Sequence, residues 1–172
     1  MKQRVCLTAF ICIVLLSAYA CKSAPGTAKT ADFMDEKTAE ISYEVLMSGS
    51  NGRGLQTEVV ETQEALDNLY GRLYDSNGIR APKTDFKKKK VIAVSAGTFN
   101  TGGYAVEPVS ITGTKDAVEA VFRVTSPAPD QIVTQAFTRP YIIVCITAVQ
   151  STRILVKIEG ADKSFFNRKF EY

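Results

Sequence analysis

Residues 141–149 are apolar on both alternating faces, and this narrows what the chain can become: such a strand belongs at the centre of a sheet, inside a core. Residues 118–125 read differently. Val118, Ala120, Phe122 and Val124 fall on one side, and Glu119, Val121, Arg123 and Thr125 on the other, so that strand should have one wet face. Residues 91–96 and 104–111 continue the strand pattern, and residues 153–158 are expected to return beside the central strand through Gln150-Ser151-Thr152. Nearer the start, residues 41–47 alternate, residues 48–54 are rich in turn formers, and residues 55–61 resume the alternation, which predicts a hairpin. A single main helix is predicted over residues 62–74, with Thr62 as N-cap, Gln63 and Glu64 in the first turn, and Leu66, Leu69, Tyr70, Leu73 and Tyr74 on its apolar face. The tail of residues 160–172, with Phe165, Phe166, Phe170 and Tyr172, should pack as a last short element. The expectation is one α+β domain over residues 41–172, predominantly antiparallel sheet or sandwich of about seven strands with one main helix.

Residues 1–20 have the order of a signal peptide: Lys2 and Arg4, an apolar run, then small residues ending at Ala20. The apolar run is about 12 residues, too short for a membrane span of about 20. Ala18-Tyr19-Ala20 suits ordinary secretion, whereas Ala20-Cys21 resembles a lipobox. Residues 21–40 favour lipidation, because a cysteine followed by a segment rich in Lys, Ala, Thr, Ser and Asp makes an acyl-anchored, flexible tether. Cys21 is thus the expected lipidation site. Lys22 and Ser23 lack an acidic inner-membrane retention signal, which directs the expectation to a lipid-anchored place in the cell envelope, at the outer membrane, periplasmic or surface-facing. With Cys6 and Cys12 leaving in the signal and Cys21 acylated, Cys145 has no disulfide partner, so the domain has to stand on its own core.

Composition excludes more chemistry than it suggests. The chain contains no histidine, which removes Ser-His-Asp and Cys-His mechanisms and the commonest metal ligand. Cys145 sits in an apolar strand, where a thiol is inert. Of the net charge of +3, two units belong to Lys2 and Arg4, so the mature chain is almost neutral and has no general basis for binding nucleic acid. No catalytic residue, metal or cofactor is therefore expected.

Residues 97–104 place glycines at Walker A spacing, but Gly103 and Tyr104 stand where Lys and Ser or Thr would contact phosphate, and a strand follows where a helix is needed. The segment reads either as a strand connection or as a binding loop in which Phe99 and Tyr104 frame Asn100, Thr101, Gly102 and Gly103. Residues 126–130 should be a stiff loop, and Arg139-Pro140-Tyr141 a rigid turn before the central strand. The lysine run 87–90 reads as a solvated gatekeeper discouraging edge pairing, with contact to acidic lipid or an acidic partner as the alternative.

Asp85-Phe86, residues 91–94, Gly97, Thr101-Gly102-Gly103-Tyr104-Ala105-Val106, residues 127–133 and Pro140-Tyr141-Ile142-Ile143-Val144 together resemble the PrcB family of protease complex subunits, over roughly residues 41–158. That resemblance implies a non-catalytic accessory partner for a protease or its precursor, at an envelope membrane. A second resemblance is to chagasin-like inhibitors of papain-type cysteine proteases, which set a Thr-Gly loop beside an Arg-Pro-aromatic loop. Residues 100–104 and Arg139-Pro140-Tyr141 are similar to that pair, although the glycine-rich loop between them has no counterpart here. With catalytic and metal groups missing and a glycine-aromatic loop and a Pro-Tyr turn present, the domain is expected to bind a protein through loops at one end of the sheet, at Phe99, Asn100, Thr101, Gly102, Gly103, Tyr104, Arg139, Pro140 and Tyr141.

Overall fold

The computed structural model describes residues 38–73, 79–114, 116–147, 153–160 and 167–172. The signal segment, Cys21 and most of the tether lie outside the described residues, as do Tyr74, Phe165, Phe166 and Gln150-Ser151-Thr152. Among the described residues no helix is long and apolar enough to cross a membrane.

The elements in chain order are β1 (Ala39–Glu40), β2 (Tyr43–Gly49), β3 (Glu58–Val60), α1 (Gln63–Leu73), β4 (Lys89–Ser95), β5 (Ala105–Gly113), β6 (Ala117–Thr125), β7 (Tyr141–Thr147), β8 (Arg153–Glu159) and β9 (Asn167–Glu171). They form a five-stranded sheet, β1-β5-β6-β8-β9, and a four-stranded sheet, β2-β7-β4-β3. Every pairing is antiparallel except β6 with β8. The α+β fold and its dominant antiparallel sheet are as the pattern predicted, with nine strands among the described residues instead of seven.

β7 is buried from Tyr141 to Ile146 because it has a layer on each side. Ile142, Val144 and Ile146 join Ile92 and Val94 against Val106, Ile111, Phe122, Val124, Ile154 and Val156, which forms the core between the sheets. Tyr141, Ile143 and Cys145 point the other way, joining Val91 and Ala93 under Leu66, Leu69, Tyr70 and Leu73 of α1. The helix starts where its cap dictates: the Ala65 amide donates to Thr62 Oγ1 at 3.1 Å. β6 alternates as expected, with Val118, Ala120, Phe122 and Val124 all buried.

Two expectations fail on pairing rather than on element type, and a third on burial. β2 and β3 form no hairpin but occupy opposite edges of the four-stranded sheet, with β7 and β4 between them. β8 does not return beside β7; it lies parallel to β6 in the other sheet. In β2 the alternating residues Tyr43 and Val45 stay exposed, because this is an edge strand whose inward-facing side is only half covered. A bulge between Val45 and Met47 then resets its register, and Leu46 and Met47 both reach the core beneath α1. The described part of the tail packs as expected: β9 pairs with β8, and Phe170 packs on the inter-sheet core.

The register gives the domain two distinct ends. Lys89 pairs with Thr147 at one, and Ser95 with Tyr141 at the other.

Candidate partner-binding site

Three connections meet at the Ser95 end. The first, between β4 and β5, leaves its strand through Gly97 at φ 92°, a left-handed value that glycine adopts without strain. The Phe99 amide then donates to the Thr138 carbonyl, and the Thr138 amide returns the bond to Phe99, both at 2.9 Å. Thr138 Oγ1 donates to the Thr101 carbonyl at 2.6 Å, and the Gly102 amide donates to the Thr134 carbonyl at 2.9 Å. The Phe99 and Tyr104 rings stack with centroids 4.0 Å apart and planes 20° from parallel. Phe99 and Tyr104 also pack on the inter-sheet core, so this loop is held from below and from one side.

The second connection, residues 126–140, is the one that holds it. Gln131 closes a turn at its start, its Oε1 accepting from the Ala128 amide at 3.2 Å while its own amide donates to the Ala128 carbonyl at 3.0 Å. Pro127 and Val133 close around Gly103, where an added Cβ would lie 2.7 Å and 2.9 Å from their side chains. The third connection, residues 50–55, docks on the far side: the Arg139 amide donates to the Ser50 carbonyl and the Gly52 amide to the Arg139 carbonyl, each at 2.8 Å.

The nine residues expected to face a partner divide by this geometry. Asn100 and Gly103 are exposed, and Phe99, Thr101, Tyr104 and Arg139 are half-buried. Gly102, Pro140 and Tyr141 are interior. The Tyr141 ring lies beneath Gly49 and Gly52 in the α1-side core, so the two loops of the inhibitor resemblance are adjacent while its aromatic residue points inward.

Sequence reasoning passed over the two most conspicuous side chains here. Ile132 is 99% exposed and Phe137 is 73% exposed, both on the rigidly tied connection before β7. The signal lay in their setting: an Ile and a Phe in a segment with no strand or helix period, bounded by Pro129 and Pro140, have no sheet to pack against. Cys145 lies along β7, buried and free, and burial pushes its thiol up, the Lys89 ammonium pulling it partly back and the Glu44 carboxylate adding to the rise.

Comparison with known families bears on this region. Residues 90–147 match the PrcB C-terminal domain. The match is consistent with membership of the PrcB family over that span, which runs from β4 through β7 and contains the two connections carrying Phe99, Tyr104, Ile132 and Phe137. No curated protein matches the chain, and no solved structure does.

Proposed function

We propose that this chain is a non-catalytic, lipid-anchored envelope protein that binds a protease or its precursor through the loops at the Ser95 end. The observation that carries the reading is the pair Ile132 and Phe137, large apolar side chains held in water by a segment whose backbone is tied to the neighbouring loop. Exposing two such groups has no stabilising role in the free domain, whereas withdrawing them into a partner is favourable by about 1.5–3 kcal/mol each. The stacked Phe99 and Tyr104 rings, with Asn100 beside them, supply a firm base and polar rim. The PrcB-like span supports a protease as the class of partner.

The double variant Ile132→Ser with Phe137→Ser tests the site. Its stability should stay within about 0.5 kcal/mol of the parent, since neither side chain is buried, while recovery of the protease in a native pull-down should fall by at least tenfold. Unchanged recovery would remove these loops from the interface. Stoichiometric inhibition of a papain-like protease by the parent chain would instead support the inhibitor resemblance. The anchor is tested separately: labelled fatty acid should enter the parent chain and be absent from Cys21→Ser, and an unlabelled parent in the culture fluid would exclude it.

A further inference from the structure

We infer that Lys87, Lys88 and Lys89, at the end of the domain opposite the loops, form a docking site for an anionic phospholipid surface. The inference rests on the membrane-anchored reading above and adds an orientation to it. As gatekeepers these lysines would guard a sheet edge, yet β4 is flanked by β7 along its whole length and by β3 over Val91–Ala93, so the edge left open beside Lys89 is short. Protection of so short an edge does not require three exposed lysines.

Local geometry presents them to solvent. The Asp85 carbonyl accepts from the Lys88 amide at 2.9 Å and the Lys89 amide at 3.0 Å, and Asp85 Oδ1 accepts from the Lys87 amide at 3.1 Å, so a closed turn fixes the start of the run. Lys90 is neutralised by Glu61 at 2.5 Å. Lys88 keeps only a 3.8 Å contact with Asp85 while 82% of its side chain stays exposed. Lys87 and Lys89 have no carboxylate partner among the described residues.

What selects a lipid surface is where the chain enters. Ala39 pairs with Gly113, the Ile41 amide donates to the Ile111 carbonyl, and the Ser42 carbonyl accepts from the Thr147 amide, which brings the N-terminal segment onto the domain at the Lys89 end. Lys89 pairs with that same Thr147. An acyl anchor at Cys21, joined to Thr38 by the tether, keeps this end within reach of the bilayer, and each lysine there strengthens attraction to anionic headgroups by about fivefold. Ile132 and Phe137 lie beyond the other end of β4, roughly 20 Å away along the strand. Docking through the lysines leaves them facing outward to a partner.

The test is a footprint of the full chain on phosphatidylcholine vesicles and on vesicles mixed with phosphatidylglycerol, using an amine-acetylating reagent that does not cross bilayers. Lys87, Lys88 and Lys89 should react about fivefold more slowly on the anionic vesicles and recover in high salt, while the exposed Lys169 reacts equally on both. Replacing all three lysines (K87Q, K88Q, K89Q) should abolish the salt-dependent docking, read as a new sensitivity of Phe137 to bilayer-borne radicals. Equal rates at the three lysines on both vesicles would overturn the inference, as would shielding of Ile132 and Phe137 in the parent chain on anionic vesicles. Flotation on neutral vesicles reports the acyl anchor alone. A chain that floats only with anionic vesicles and protects its lysines has therefore lost the anchor reading and kept this one.

Discussion

Tyr141→Ala is expected to destabilise the domain by about 3–5 kcal/mol, the range for removing a large buried aromatic side chain. The ring is 3% exposed and serves three elements at once. It lies in the core beneath α1, and added Cβ atoms at Gly49 and Gly52 would each come within 3.0 Å of it, so the end of β2 and the turn after it close directly onto the ring. Truncation leaves a cavity at that junction and loosens the Ser50 and Gly52 bonds to Arg139. A urea titration should show the midpoint falling with little change in slope. Ile132→Ser, nine residues earlier on the connection that leads into β7, should barely move it. Were Tyr141→Ala to retain full stability while losing capture of the protease, the ring would be a contact and the assignment of Arg139-Pro140-Tyr141 as a structural turn would fail.

That contrast marks what the sequence could and could not disclose. Helix α1 was legible because its evidence is local: Thr62 caps it, and Leu66, Leu69, Tyr70 and Leu73 recur at helical spacing. β6 and β7 were legible for the same reason, period two with one apolar face or with both. Pairing is not a local property. Ile154, Val156 and Ile158 alternate in a way that would serve beside β7 as well as beside β6. The outward-facing charges agree with the choice the fold makes, since the parallel register sets Lys157 2.5 Å from Glu119 and Arg123 3.5 Å from Glu159. Such half-exposed pairs contribute little stability, but a register that opposes like charges is penalised, so they help select one alignment. The site follows the same division. Glycine and aromatic residues drew notice to residues 97–104, whereas the burial of Tyr141 and the exposure of Ile132 and Phe137 depend on which loops the sheet brings together.

The glycines of that loop give the other large effect. Gly103→Ala should cost about 2–4 kcal/mol, combining a left-handed backbone with overpacking. Gly103 has φ 87°, and its new Cβ would sit 2.7 Å from Pro127 Cβ and 2.9 Å from Val133 Cγ1. Gly97 provides the internal control, because its φ of 92° is as unfavourable for alanine but nothing lies within 4 Å of the added carbon. Gly97→Ala should accordingly cost only the conformational part, roughly 1–2 kcal/mol, and the difference between the two variants isolates the contact between connections. That contact matters for binding, since Pro127 and Val133 flank the stretch that carries Ile132. Pushing them away should break the bond from the Gly102 amide to the Thr134 carbonyl, raise hydrogen exchange at Gly102, and weaken capture of the protease while the two cores remain folded. If Gly103→Ala proves as mild as Gly97→Ala, with the Gly102 amide still protected, the connections are not locked together, and Ile132 and Phe137 lose the rigid platform on which the proposed interface depends.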